Sequence, residues 1–147
     1  MGNIFDRIVA FPNLVRAYDR VEDNHGCAGI DGQTVEDFGV DLDASLTNLK
    51  KEIISGSYKP SPLLRVYVEK TNGGKRPLSI PTVRDRVAHT AAAMVLTPIL
   101  DPEFEEVSFA YREGRSVDQA IRRVLELRDK GYQWVLDADI RSYFDEI

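Results

Sequence analysis

The chain has 147 residues, 43% of them hydrophobic and 29% charged, which is ordinary for a soluble globular domain and long enough for one real core. No apolar run approaches the roughly 20 residues that cross a membrane, and the N-terminus lacks the basic-then-apolar layout of a signal peptide. A single cysteine, Cys27, excludes an internal disulfide and fits a reducing, cytoplasmic setting, while the net charge of −5 argues against a protein that simply coats nucleic acid.

Leu14, Val15, Ala17, Tyr18 and Val21 recur at helical spacing after Pro12. A turn-rich stretch from Asn24 to Gly32 ends that helix. Thr34 to Asp37 has the character of a helix start, and Leu42, Leu46, Leu49 and Ile53 mark a second helix that closes at Gly56. From Leu63 to Lys70 the residues alternate, with Leu64, Val66 and Val68 on one face and Arg65, Tyr67 and Glu69 on the other, the pattern of a strand. Thr71 to Gly74 makes a hairpin loop and Lys75 to Ile80 the returning strand, which Pro77 confines to an edge. Val83, Val87, Ala91 and Val95 lie four apart and predict a buried helix from about Thr82 until Pro98 disturbs it. Ser116 and Gln119 form a capping-box pattern. Val117, Ala120, Ile121, Val124 and Leu125 give that helix an apolar face, and Gly131 stops it. Gln133 to Ile140 is apolar enough to sit centrally in a sheet. These elements make the fold class α+β.

Three segments carry candidate chemistry. The last apolar run delivers Asp139 to its tip, where a carboxylate can hold a divalent metal ion rigidly; Asp137 points to the same face at period two, so spacing alone does not choose between them. Tyr143 and Phe144 follow, one free to lie under a sugar ring while the other packs inward. In the hairpin, Gly73 and Gly74 permit a tight turn while Lys70, Lys75 and Arg76 surround it with positive charge suited to a triphosphate. In the third segment, Ser108 to Ser116, aromatic and basic residues interleave just before a helix start: Arg112 and Arg115 suit phosphate, and Tyr111 or Phe109 suits stacking on a base. Acidic residues dominate the first half, as in Asp19 to Asp23 and Asp37 to Asp43. Arg84, Arg86, Arg122 and Arg123 add to a basic second half, so the local field differs from the total. His25, His89 and Cys27 are too isolated for a metal site or a dyad, Ser79 lacks a triad, and Ser116 is explained as a cap.

In order along the chain, "GCAGIDG" (26–32), "GKRPLSIPTVRDRVAH" (74–89), "SFAYREGRSVDQAI" (108–121) and "WVLDADIRSYFDEI" (134–147) resemble the reverse transcriptases of the group II intron class. Within that class, "SFAYR" and the closing segment are similar to enzymes joined to the CRISPR spacer integrase. The resemblance implies an N-terminal helical extension over 1–57, the fingers of a right-hand polymerase over 58–131, and the beginning of the palm with its first catalytic strand over 132–147. It implies RNA-directed DNA synthesis, in which dNTPs are added to a DNA primer on an RNA template by a two-metal mechanism with Mg²⁺ or Mn²⁺. Intron RNA or a CRISPR integrase would be a further partner. It also implies that Asp139 is the catalytic aspartate and that Asp139 and the Ile140 carbonyl bind metal. Lys75, Arg76, Arg84 and Phe144 would meet the dNTP, and Leu78, Ile80, Pro81, Arg112 and Arg115 the template. Ser79, His89, Ala110 and Glu113 depart from the family's usual glycine, glutamine, glycine and proline, and Glu113 puts an acid where phosphate is expected. No Tyr-x-Asp-Asp sequence occurs, so this chain alone is expected to be inactive, and its closing strand to lack sheet neighbours and drive self-association. The alternative is a non-catalytic module that binds RNA or a partner through a fingers fold.

Overall fold

The computed structural model describes residues 2–69, 71 and 73–140. They divide into two compact units, one up to Pro102 and one from Glu103. The division falls inside the 58–131 segment.

The first unit is built on four helices and a fifth that closes it: α1 (Ile4–Ile8), α2 (Phe11–Asp23), α3 (Val35–Val40), α4 (Leu42–Ser55) and α5 (Val83–Leu100). Short polar side chains set their starts. Thr34 and Asp37 form a reciprocal capping box on α3, and the Thr82 hydroxyl accepts the Asp85 N–H at the head of α5. The predicted spacing holds on α5, where Val83, Val87, Ala91 and Val95 are all buried. Val83, Val87 and Ala91 meet Leu14, Ala17, Tyr18 and Val21 of α2, with Val35, Phe38, Leu46 and Leu49 completing the core. The Asn13 amide donates to the carbonyls of Ile8 and Ala91, both at 3.0 Å, and so ties α1 and α5 to α2. At the end of α4, Gly56 takes a left-handed φ of 70°. Its N–H donates to the Ile53 carbonyl and the Ser57 N–H to the Glu52 carbonyl, a Schellman stop.

Two details differ from the expectation. Helix α1 was not anticipated; it is five residues long and held by a capping box between Asn3 and Asp6. Pro98 does not end α5, which runs on to Leu100: so near the C-terminus, proline costs the helix one donor and few later turns.

Between α4 and α5 lies the expected antiparallel hairpin, β1 (Leu64–Glu69) and β2 (Lys75–Ile80), paired from Leu64 with Ile80 to Glu69 with Lys75. Segregated helices and one hairpin make the class α+β, as expected.

In the second unit, α6 (Val117–Asp129) begins at the Ser116–Gln119 capping box. It ends in another Schellman stop, with the Gly131 and Tyr132 N–H groups on the carbonyls of Arg128 and Leu127. Its apolar residues Val117, Ile121, Val124 and Leu125 are exposed. The expected strand over 133–140 is not formed among the described residues. This stretch has no ladder partner among the described residues, and Trp134, Val135 and Leu136 are 97%, 88% and 91% exposed. A strand is completed by hydrogen bonds from a neighbour, which apolar character alone does not supply. Among the described residues no helix is long and apolar enough to cross a membrane.

Candidate nucleotide and nucleic-acid site

The hairpin register sorts its residues onto two faces. Arg76, Leu78 and Ile80 stand opposite Val68, Val66 and Leu64, so all six share one face. Lys75 stands opposite Glu69 on the other face, with Pro77 and Ser79. Arg76 therefore accompanies the apolar residues Leu78 and Ile80, while Lys75 has an acidic cross-strand neighbour. Pro81 is half-buried at the exit of β2. Lys70 lies outside the described residues.

Arg84, in the first turn of α5, is engaged within the protein. Its guanidinium makes an ion pair with Glu52 and lies over the Tyr58 ring, 5.0 Å from the centroid. Beside it is a residue that the sequence reading passed over. Asp85 is 1% exposed, and its Oδ1 accepts the Tyr58 hydroxyl (2.7 Å). Its Oδ2 accepts the Ser61 N–H (2.9 Å) and the Thr82 hydroxyl (2.8 Å). Burial acts against its charge, but these hydrogen bonds and the nearby Arg84 charge outweigh it and hold the carboxyl below the usual aspartate range. Burial and the bond to Asp85 push the Tyr58 hydroxyl well above its ordinary value. The signal for Asp85 was present as Thr82-x-x-Asp85, the spacing of a capped helix start, although its other partners are distant in sequence. Arg86 donates to the Cys27 carbonyl at 2.6 Å and fastens the 26–32 loop to α5.

In the second unit, Arg112 donates to the carbonyls of Glu105 (2.9 Å) and Ser108 (3.1 Å) and lies over Phe104. It is occupied in shaping its own loop. Arg115 lies over Phe109, and both line an open groove with Gln119, Arg122, Arg123 and Glu106. Tyr111, held at a left-handed φ of 58°, is fully exposed. The two aromatic candidates thus separate: Phe109 lies under an arginine and Tyr111 faces solvent.

Asp137, Asp139 and Ile140 are exposed. Asp139 and the Ile140 carbonyl are oxygen donors of the kind that hard divalent ions take, but such ions require about six. Among the described residues no group of three His, Cys, Asp or Glu side chains could hold a metal, so these donors do not complete a site. Tyr143, Phe144 and Asp145 lie outside the described residues.

Comparison with known proteins bears directly on these segments. A profile of the reverse transcriptase (RNA-dependent DNA polymerase) family matches residues 68–147, more than half of the chain and inclusive of β2 and Asp139. The chain is 42% identical over 123 residues to Protein YkfC of Escherichia coli, covering 81% of this chain and 32% of that relative. It is 32% identical over 134 residues to the group II intron-encoded protein LtrA of Lactococcus lactis, covering 89% and 22%. An uncharacterized 91 kDa protein in the cob intron of Schizosaccharomyces pombe is also 32% identical over 134 residues, covering 89% and 16%. The chain therefore spans about a third or less of the length of these relatives.

The chain belongs to the reverse transcriptase family, a class of RNA-directed DNA polymerases that work with divalent metal. Its relatives place it with the group II intron-encoded type.

Proposed function

We propose that this chain supplies the fingers and the opening palm segment of a polymerase that extends a DNA primer along an RNA template with dNTPs. The observation that carries this is the family match over residues 68–147, which takes in β2 and Asp139. In this reading 1–57 is the N-terminal extension, 58–131 the fingers, and 132–147 the start of the palm. In this reading the hairpin face bearing Arg76, Leu78 and Ile80 meets the incoming nucleotide and templating base, Lys75 on the other face and Pro81 at the exit of β2 add to the contacts, and Phe144 is a further residue for the dNTP. Asp139 and the Ile140 carbonyl contribute to binding Mg²⁺, which when complete would stabilise the charge of phosphoryl transfer. The ion pair of Arg84 with Glu52 makes its contact with a nucleotide indirect, through the placement of α5. The intron-encoded relatives favour intron RNA over a CRISPR integrase as the further partner. The lone cysteine fits a cytoplasmic enzyme.

The test is primer extension by the product of the whole reading frame that encodes this chain, on an RNA template with Mg²⁺. Asp139→Asn should lower kcat at least about a thousandfold, the scale of several kcal/mol of lost charge stabilisation. Arg76→Ala should raise the KM for dNTP about tenfold, as expected for one charge-assisted contact. Residues 1–147 alone should give no extension; activity from them would refute the two-metal assignment.

The groove lined by Arg115, Arg122 and Arg123 favours RNA binding by this chain itself as a second reading. Binding of structured RNA should weaken in Arg115→Ala, with the salt slope reduced by about 0.7–0.9, and be unchanged in Asp139→Asn.

A further inference from the structure

We infer that Asp85, backed by Gly29, is the clasp that fixes the direction of the β1–β2 hairpin; as a positioning role it rests on the polymerase reading above. The two strands pair with each other and make no extensive contact with any helix among the described residues. Tyr67, Val68 and Leu78 are accordingly exposed. What aims the hairpin is therefore its root. One root is Ser61, three residues before β1; the other is Thr82, two residues after β2. Asp85 Oδ2 accepts from both, and its Oδ1 accepts from Tyr58, which leads into the first root. A single buried carboxylate thus closes the base of the hairpin like a pin. The pin is itself rigid, because Val83 and Val87 flank it in the core on α5.

The second root is also met closely by the 26–32 loop. A Cβ added at Gly29 would stand 2.7 Å from the Thr82 Cα, 2.8 Å from its nitrogen and 2.9 Å from the Pro81 carbonyl oxygen. Only glycine lets the loop backbone lie so close. The loop cannot easily back away, because Arg86 holds it by the Cys27 carbonyl at 2.6 Å. Pin and buttress together leave the root little freedom. The leverage is large: a six-residue strand is about 20 Å long, so a tilt of about 10° at the root moves the tip about 3.5 Å. Displacements of about 1 Å already cost activity in a positioned site.

The test is the distance between the hairpin tip and the helical core, measured by electron–electron resonance on the 147-residue chain. Spin labels are placed at Thr71→Cys and Lys51→Cys in a Cys27→Ser background, with Asp19→Cys and Lys51→Cys as the control pair within the helices. Asp85→Asn and Gly29→Ala should each broaden or shift the tip distance by about 3 Å and leave the control pair unchanged. Tyr58→Phe removes one of the three bonds and should give a smaller change in the same direction, which keeps the test open if Asp85→Asn does not fold. An unchanged tip distance in folded variants overturns the clasp. So does equal broadening of the control pair, which would make Asp85 a general stabiliser. In primer extension, Asp85→Asn should raise the KM for dNTP about tenfold while leaving RNA affinity within about twofold. A moved hairpin with unchanged KM would overturn the positioning role and leave the polymerase reading intact. An inactive wild type with a hairpin that moves in Asp85→Asn would overturn the polymerase reading and leave the clasp itself intact.

Discussion

Asp85→Asn should also report on stability, and with a pH signature. The substitution keeps the shape of the side chain but removes its charge. Hydrogen bonds to an ionised acceptor contribute about 1.5–3 kcal/mol against about 0.5–1.5 for a neutral one, so three bonds lose about 3 kcal/mol in all. The neutral amide is cheaper to bury, which offsets about 1 kcal/mol and leaves a net cost near 2 kcal/mol. Tyr58 and Thr82 can rotate their hydroxyls to suit an amide; the Ser61 N–H cannot. With a urea m of about 1.5 kcal/mol/M, the midpoint should fall by about 1.3 M at neutral pH. Far-ultraviolet circular dichroism is the right probe, because the helices carry the signal and the only tryptophan, Trp134, is exposed outside the core. The sign with pH is fixed by the direction of the shift. The folded-state carboxyl ionises below the ordinary 3.8, so its stabilisation is complete above about pH 4 and is lost as pH falls through the folded value. The gap between wild type and variant should therefore be constant from about pH 5 to 7 and shrink below about 4. A gap that stays constant to about pH 3, or one below about 0.5 kcal/mol at pH 7, would refute the account of Asp85 as a charged acceptor.

Asn13→Ala deletes both amide donors to Ile8 and Ala91 and leaves the Ala91 carbonyl buried without that partner. It should cost about 2–3 kcal/mol by urea denaturation, whereas a change under about 0.5 kcal/mol would mean that α2 and α5 are held by apolar packing alone. The exposed Trp134, Val135 and Leu136 should make the isolated chain self-associate at high concentration, and Leu136→Lys should reduce this in sedimentation velocity. A monomer throughout for the unaltered chain would count against it.

What was legible in the sequence was what neighbouring residues decide among themselves. Thr34, Thr82 and Ser116 mark helix starts because a cap bonds to an N–H three residues on. Gly56 and Gly131 mark stops because their left-handed backbone is local. Val83, Val87, Ala91 and Val95 show their burial because i, i+4 spacing is a property of one helix. Helix α1 was missed because five residues give too little period to read. The stretch 133–140 was misread as a strand because apolar character describes what a segment would bury and says nothing about who pairs with it.

The candidate site divides in the same way. Alternation along β2 was visible, yet Lys75 and Arg76 were grouped by charge although the register sends them to opposite faces. For Arg84 and Arg112 the sequence displays the charge without its partners within the protein. Their engagement with Glu52, 32 residues away, and with the Glu105 and Ser108 carbonyls is a tertiary fact. Asp85 is the reverse case: an acid that in sequence resembles an ordinary cap, and in the fold is the meeting point of two strand roots and a tyrosine. Basic residues on and near the hairpin therefore belong to two groups. Arg76 is exposed on the face with Leu78 and Ile80. Arg84 and Arg86 hold the base on which that face is mounted. Substituting the first should alter nucleotide affinity at constant hairpin geometry, and substituting the others should alter the geometry itself, with affinity following from it.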